Sequence, residues 1–527
     1  MMSVPMMSDR VVQHALQFLI AAVTAVSPGL MAQDSDPAAG PAVRAVHASL
    51  DRIERRDSEL RAVISINPAA AEQAAVLDRE RQSGRLRGPL HGVPVLIKDN
   101  IETRELPTTA GSLALAANAT GRDARVVARL REQGLVLLGK ANLSEWANFR
   151  SERSSSGWSG VGGQARNPHD TTRSPCGSSS GSAIAVAAGY VALAVGTETN
   201  GSVICPAAVN GIVGIKPTVG LVSRHGIVPI SHSQDTAGPM AANVSDAAYL
   251  LDAMAMFDPD DPAAPGDRGV FERRYADALD PDGLQGKRVG VVRSLAGFHE
   301  GVDAAFDRAI ADLAAAGAEI VDDLALPDYP DGFGDAAYDV LLYEFKHDLN
   351  AYLAGLPGAE ATLNLQSLIE FNRQHADAEM KWFQQEIFLK SQETEGLESA
   401  AYRAALQRVQ SFSRAGIDDL LAKHELDLLI SPSNTPAWKI DLVVGDRWLG
   451  SSSSFPARAG YPHVTVPMGF VHGLPVGLSL YASAFSEPAL IAAAFAYEQR
   501  SRRARPPAGY GERAPAISVE DRARGRP

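Results

Sequence analysis

Lys98 closes a short apolar run, Val93-Pro94-Val95-Leu96-Ile97, and two serine-bearing turns rich in small residues lie downstream of it. The first, SPCGSSSGS at residues 174–182, leads into an Ala-rich stretch; the second, GTETNGSVICP at residues 196–206, follows an apolar run. Three kinds of chemistry suit such turns. Glycine-rich turns at helix starts bind phosphate through backbone N–H groups, but neither G-x-x-x-x-G-K-[ST] nor G-x-G-x-x-G occurs in this stretch. Gly177-Ser178-Ser179-Ser180-Gly181 fits a nucleophile elbow, G-x-S-x-G, with Ser179 as nucleophile. That chemistry also needs an acid and then a histidine, and neither His424 nor His463 has a local context suited to the part. The third reading uses both turns together with Lys98. A neutral lysine activates serine by accepting its proton, directly or through a second hydroxyl. Its ordinary pKa of about 10.4 must then fall by several units, at about 1.4 kcal/mol each. Burial at the end of an apolar strand supplies that shift, although the local sequence also suits a lysine exposed at a strand end.

The elements that hold these turns alternate in type. Val43, Val46, Leu50, Ile53 and Leu60 recur at helical spacings. Residues 93–97 read as a buried strand, 123–133 as a helix, 135–138 as extended, 182–188 as a helix and 191–195 as extended. Such alternation points to an α/β fold. Residues 258–267 and 327–334 are Pro/Asp/Gly-rich connections, and residues 341–412 read as a polar helical insertion, on the surface or as a lid over a cleft.

Lys98 in GVPVLIKDN, Ser178 in CGSSSGS and Ser202 in TNGSVICPAA resemble the Ser–cis-Ser–Lys triad of the amidase signature family. The separations, 178 − 98 = 80 and 202 − 178 = 24 residues, are similar too. The likeness extends over residues 42–507, through GIKPTVGLVSRHGIVPISHSQDTAGPM, DLLISPSNTP and AGYPHVTVPMG. GKANLSEWANFRS, GTETNGSVICPAAVNG and DVLLYEFK look closest to the family's peptide-amidase branch. The resemblance implies an α/β amidase domain at residues 42–507, a mixed β-sheet core covered by α-helices, with a helical insertion.

It implies Ser202 as nucleophile, with Ser178 after a cis peptide bond bridging Ser202 to the base Lys98. Backbone N–H groups of Thr199, Asn200, Gly201 and Ser202 would form an oxyanion hole, and Ser179 would orient the triad. Ser144, Trp146, Asn148, Trp158 and Tyr461 are expected to line the substrate cleft, with packing an equal reading for the two tryptophans. Asp99 and Asn100 would hold Lys98 or cap the segment after it; Asp235 would support a turn, and His463 would be structural. The implied substrate is a carboxamide, foremost the C-terminal amide of a peptide, converted to acid and ammonia. Other amidases, for amino-acid amides, aryl amides or acylamides, are the nearer alternatives. The farther ones are a component of a glutamine-dependent amidotransferase and a non-catalytic exported binding protein. This chemistry requires no cofactor, and no His/Cys/Asp/Glu cluster has metal-ligand spacing. Three positions depart from the broader pattern: Ile204 stands where many members have Arg, Asn200 where Gly is common, and Ser180 where Gly is usual.

Composition narrows the partners. Forty-nine Lys and Arg against 62 Asp and Glu give a formal net charge of −13, which disfavours nucleic-acid and membrane-surface binding. Residues 15–26 are an apolar run between Arg10 and the small residues leading to Ala32. That order resembles a signal peptide over residues 1–32 and is too short to span a bilayer. It predicts a periplasmic or secreted protein; a retained N-terminal helix and a cytoplasmic location are the alternatives. Residues 508–527 read as a solvated tail. Two cysteines cannot build a disulfide framework or a cysteine-based zinc site. Cys176, two residues before Ser178, and Cys205, three after Ser202, read as small packing residues beside the catalytic loops, with a bond between them left open.

Overall fold

A computed structural model describes residues 39–358 and 363–511. The proposed leader at residues 1–32 and most of the proposed tail lie outside the described residues. The helical spacing after residue 42 folds as one helix, Pro41–Leu60, which buries Ala42, Val46, Ile53 and Leu60.

An 11-stranded mixed sheet forms the framework. Its strands are β1 (Val63–Ile66), β2 (Pro94–Lys98), β3 (Val136–Ala141), β6 (Leu193–Glu198), β7 (Val213–Lys216), β8 (Thr236–Ala241), β9 (Arg288–Val292), β10 (Glu319–Leu324), β11 (Leu428–Pro432), β12 (His463–Val471) and β13 (Leu474–Tyr481). A separate short hairpin pairs β4 (Trp158–Ser159) with β5 (Gly163–Gln164). The order across the large sheet is β1-β3-β2-β6-β8-β7-β12-β13-β11-β9-β10. β2 runs parallel to both its neighbours, β3 and β6. A parallel strand covered on both faces carries a continuous apolar run rather than an alternating one, and all five residues of β2 are buried.

The period of two along β2 decides where Lys98 points. Val95 and Ile97 pack into the large core that also holds Leu193 and Val195. Leu96 faces the opposite core, shared with Ala183, Ile184 and Ala187 of the helix Ser180–Ala187. Lys98, two residues beyond Leu96, falls on that second face, and Ser178 and Ser179 lead directly into this helix. The helix is buried throughout.

The expected insertion lies between β10 and β11 as the helices Phe333–Ala354, Leu365–Gln374, Ala376–Glu379, Glu386–Glu393 and Ala400–Lys423. Phe345, Leu349 and Phe388 join Trp146, Phe149, Val228 and Ile230 of the main body in one apolar cluster. Trp146 meets Phe388 edge-on at 5.5 Å, and Phe149 meets Phe345 at 5.0 Å. The insertion is therefore packed against segments flanking the catalytic turns. Among the described residues, no helix is long and apolar enough to cross a membrane.

Candidate active site

Lys98 is fully buried at the end of β2. Its Nζ lies 2.7 Å from Ser178 Oγ, 2.8 Å from Thr197 Oγ1 and 3.2 Å from the Thr197 carbonyl. Burial pushes the lysine down to about 7, against the weaker opposing pull of the Asp235 and Glu198 carboxylates. A neutral amine has two N–H groups and one lone pair. The Thr197 carbonyl accepts only, and Asn100 Nδ2 donates to Thr197 Oγ1 at 2.9 Å. Giving both lysine N–H groups to Thr197 satisfies every contact and leaves the lone pair for the Ser178 hydroxyl. Thr197 has no signal in the sequence, because a threonine within GTETNG carries no distinguishing pattern; only the pairing of β2 with β6 brings it to Lys98. Thr197→Val keeps the shape, removes the hydroxyl and leaves Asn100 Nδ2 without its acceptor. It is expected to lower kcat about 10- to 100-fold with little change in KM, and Thr197→Ser to restore most of the loss. Steady-state kinetics on an amide substrate reads both effects.

The Gly177–Ser178 peptide bond is cis. A side chain at Gly177 would stand 2.1 Å from Ser144 Oγ, so only glycine fits there. Ser144 N donates to the Ser178 carbonyl at 3.0 Å, and Ser144 Oγ accepts from Gly157 N at 2.8 Å. Ser179 is turned toward β6, where its Oγ donates to the Thr197 carbonyl at 2.9 Å and accepts from Thr197 N at 3.1 Å. With both contacts on a strand interior, Ser179 Oγ is not presented as a nucleophile, contrary to the elbow reading.

Ser202 lies on the turn between β6 and the helix Ile204–Val209 and retains 9 % exposure. Its carbonyl accepts from Ser179 N at 3.2 Å, which ties the two catalytic turns together. Its hydroxyl makes no hydrogen bond among the described residues, so the expected Ser178–Ser202 bridge is not closed. Such contacts commonly tighten only when substrate is bound. Among the described residues the N–H groups of Thr199, Asn200, Gly201 and Ser202 donate to no protein acceptor, and Gly201 has φ 85°. Glu198, with Ile204 rather than a basic residue two positions after Ser202, accepts from Val203 N at 2.7 Å and Ile204 N at 3.0 Å. Asn200 Oδ1 accepts from Ser453 Oγ at 2.7 Å. Asp235 accepts from Thr199 Oγ1 and from the Ile230 and Ser231 N–H groups, and burial pushes it up to about 6.

Cys176 and Cys205 are joined by a disulfide, with Cα atoms 6.0 Å apart. They pack as expected, with Val209, Ala437, Trp438 and Leu474, but packing is not their whole part. The bond links the Ser178 turn covalently to the helix after Ser202. A separation of 29 residues in the chain gives no indication of this proximity.

A cavity of about 370 Å³ opens beside Ser178, Thr197 and Thr199, with Ala147, Ile227, Val228 and Tyr352 in its walls. None of the five residues expected to line the cleft is in those walls. Ser144 is fully buried behind Ser178. Trp146 packs on Phe388, and Trp158 on Phe383 at 5.1 Å. Asn148 Nδ2 donates to Ser156 Oγ at 3.2 Å, and Tyr461 OH to Asp418 at 2.6 Å. Asp99 pairs with buried Lys140 at 2.8 Å rather than with Lys98, whereas Asn100 acts on Lys98 through Thr197. His463 is buried, 2.6 Å from Ser479 Oγ, and burial holds it near 3.

One cluster has no counterpart in the sequence reading. His232, Glu344 and Asp348 bring ligand atoms within 4.8 Å of one another. Glu344 is already occupied: it accepts from Ser231 Oγ, from Ser233 Oγ at 2.9 Å and from Tyr402 OH at 2.7 Å. His232 Nδ1 lies 2.9 Å from Asp348. Burial disfavours the His232 cation, but the Asp348 and Glu344 carboxylates outweigh it and raise the histidine above its usual value. The group is thus a clasp between the insertion and the loop that ends in Asp235, not a vacant metal cage.

A serine hydroxyl facing a lysine that burial pushes down to about 7, with a second serine on the adjoining turn beside four open N–H groups, is the equipment of an amide-cleaving serine hydrolase that works without histidine. Residues 44–491 match the Amidase family, and the chain belongs to it. The native peptide amidase of Stenotrophomonas maltophilia superposes with a TM-score of 0.83 at 49 % identity, covering 88 % of this chain and 95 % of that one. A probable amidase of Arabidopsis thaliana is 42 % identical over 472 residues, 88 % of this chain and 87 % of its own. One component of the glutamyl-tRNA(Gln) amidotransferase of Symbiobacterium thermophilum is 36 % identical over 494 residues, 91 % of this chain and 96 % of its own.

Proposed function

We propose that the protein hydrolyses the C-terminal amide of peptides to the free acid and ammonia. The 2.7 Å contact between Ser178 and a lysine held near pH 7 carries this reading, because it supplies the base that amide cleavage needs. Ser202 Oγ attacks the amide carbonyl while its proton passes through Ser178 to Lys98. The oxyanion is met by N–H groups from Thr199 to Ser202, each worth about 3–4 kcal/mol in such a role. Lys98, through Ser178, returns the proton to the departing ammonia. Water then enters by the same relay and frees the acid and Ser202.

The likeness to peptide amidase at 49 % identity favours a peptide over other carboxamides. Ile204, whose side chain cannot form an ion pair with Glu198, disfavours glutamine as ammonia donor for a transferase. Assays of ammonia release across peptide amides, amino-acid amides, anilides and glutamine test the proposal. Peptide amides should be hydrolysed best, with internal peptide bonds intact; a preference for glutamine would overturn it.

The pH dependence follows from the base. Below about 7 Lys98 is protonated and has no lone pair for Ser178, so kcat/KM should fall roughly tenfold per pH unit there. Protonation of Asp235 near 6 weakens its hold on Thr199 and steepens the fall. A pH–rate profile that stays flat down to pH of about 5 would remove Lys98 as the base.

We further propose that the mature protein works outside the cytoplasm. A disulfide persists in oxidising compartments, and the pair Cys176–Cys205 agrees with the leader-like order of residues 1–32. Cell fractionation with N-terminal sequencing tests this; intact Met1 on cytoplasmic protein would refute it.

A further inference from the structure

Residues 441–450 form a loop that holds Val443, Val444, Trp448 and Leu449 in solvent at 81, 51, 68 and 62 % exposure. Soluble proteins seldom expose a run of large apolar side chains without a use for it. Arg447 is exposed within this patch, while the loop's two carboxylates are held by groups of the protein. Asp441 accepts from Val443 N and Val444 N at 3.0 and 2.9 Å, and Asp446 accepts from Ser156 N and Trp438 Nε1 at 3.0 and 2.9 Å.

Three anchors make the patch continuous with the catalytic centre. Before the loop, the Trp438 carbonyl accepts from Ser174 N at 2.8 Å, four residues ahead of Ser178. Within it, Asp446 holds Ser156, whose Oγ lies 3.2 Å from where a Gly177 side chain would begin. After it, Ser453 Oγ holds Asn200 Oδ1 at 2.7 Å, two residues ahead of Ser202. The loop is thus tied to both turns, those of Ser178 and Ser202, between which the amide must sit. A peptide bound there by its C-terminal amide continues outward by about 3.3 Å per extended residue.

We propose that Val443, Val444, Trp448 and Leu449 form the subsite that receives apolar side chains of the peptide upstream of its amide. The inference rests on the peptide-amide reading above. Its test compares the wild type with a Trp448→Ser, Leu449→Ser double variant on three substrates: a hexapeptide amide with apolar side chains, a Gly/Ser hexapeptide amide, and leucinamide. The apolar hexapeptide amide should lose about 10-fold or more in kcat/KM, almost all through KM, while the other two change less than about twofold. An equal loss on all three substrates, or no loss on any, overturns the subsite. So does a wild-type dimer that the variant dissociates in light-scattering chromatography, which would assign the patch to a second copy. Cosedimentation of the wild type, but not the variant, with phosphatidylglycerol vesicles would overturn it in favour of a membrane surface. If the wild type releases no ammonia from either hexapeptide amide, the peptide-amide reading fails and takes the subsite with it. If it releases ammonia and only the variant's side-chain dependence is missing, the subsite alone fails.

Discussion

Ser202→Ala is expected to reduce ammonia release from a peptide amide by about 10⁴-fold or more, and Lys98→Ala by a similar factor. The two losses should not add, since the serine and its base serve one proton transfer. Ser202 is the hydroxyl that remains accessible beside unoccupied N–H donors, while Ser178 Oγ is engaged with Lys98. KM should change little in Ser202→Ala, because the cavity beside Ser178 is left intact. Ser179→Ala is the discriminating control. Its hydroxyl steadies both the carbonyl and the N–H of Thr197, so its loss should slow the reaction without ending it. Near-native activity in Ser202→Ala, with an inactive Ser179→Ala, would return the mechanism to a nucleophile elbow.

The second large effect concerns stability. Replacing Cys176 and Cys205 together by alanine should cost about 3–4 kcal/mol, the chain-entropy value for closing a loop of their 29-residue separation. Because the bond ties the Ser178 turn to the segment after Ser202, activity should fall at temperatures well below global unfolding. Urea denaturation monitored by circular dichroism gives the first quantity, and thermal inactivation of initial rates gives the second. Both cysteines are buried, so a mild reductant should act slowly on the folded protein and quickly once it is partly unfolded. A denaturation midpoint unchanged in the double variant would show that the bond contributes nothing. Two titratable thiols in the denatured, unreduced wild type would show that it does not form.

Much of the fold was legible because its period was local. The run before Lys98 is apolar on every residue, as a strand buried on both faces must be, and it folds as β2. The helical spacing from Val43 to Leu60 likewise becomes Pro41–Leu60. At the site, the chemistry-bearing types could be read from one stretch and one lysine, but their supports could not. Thr197 reaches Lys98 only through strand pairing, and Cys176 reaches Cys205 only because two turns converge at one end of the sheet. The two readings of the tryptophans, cleft wall or packing, stood level in the sequence for a physical reason. An aromatic ring near a catalytic turn suits a cleft wall and an interhelical core equally well, and the insertion that takes Trp146 into its apolar cluster and sets Phe383 against Trp158 lies more than 170 residues further along. Asp99 illustrates the same limit: adjacent to Lys98 in sequence, it points across to Lys140 on β3.

The Glu344 clasp gives the helical insertion a particular standing in how such an enzyme could change over time. Tyr402 OH, Glu344, Ser231, Asp235 and Thr199 form an unbroken succession of hydrogen-bonded or neighbouring groups from the insertion to the turn that carries Ser202. A loop exchanged at the periphery would leave that succession whole, whereas an insertion transplanted without an acid at position 344 would strand two serine hydroxyls and release the segment on which Asp235 sits. Recombination can therefore vary the insertion's exposed surface, but it must inherit Glu344 together with the catalytic half of the chain. The clasp makes two regions, more than 100 residues apart, heritable as one part.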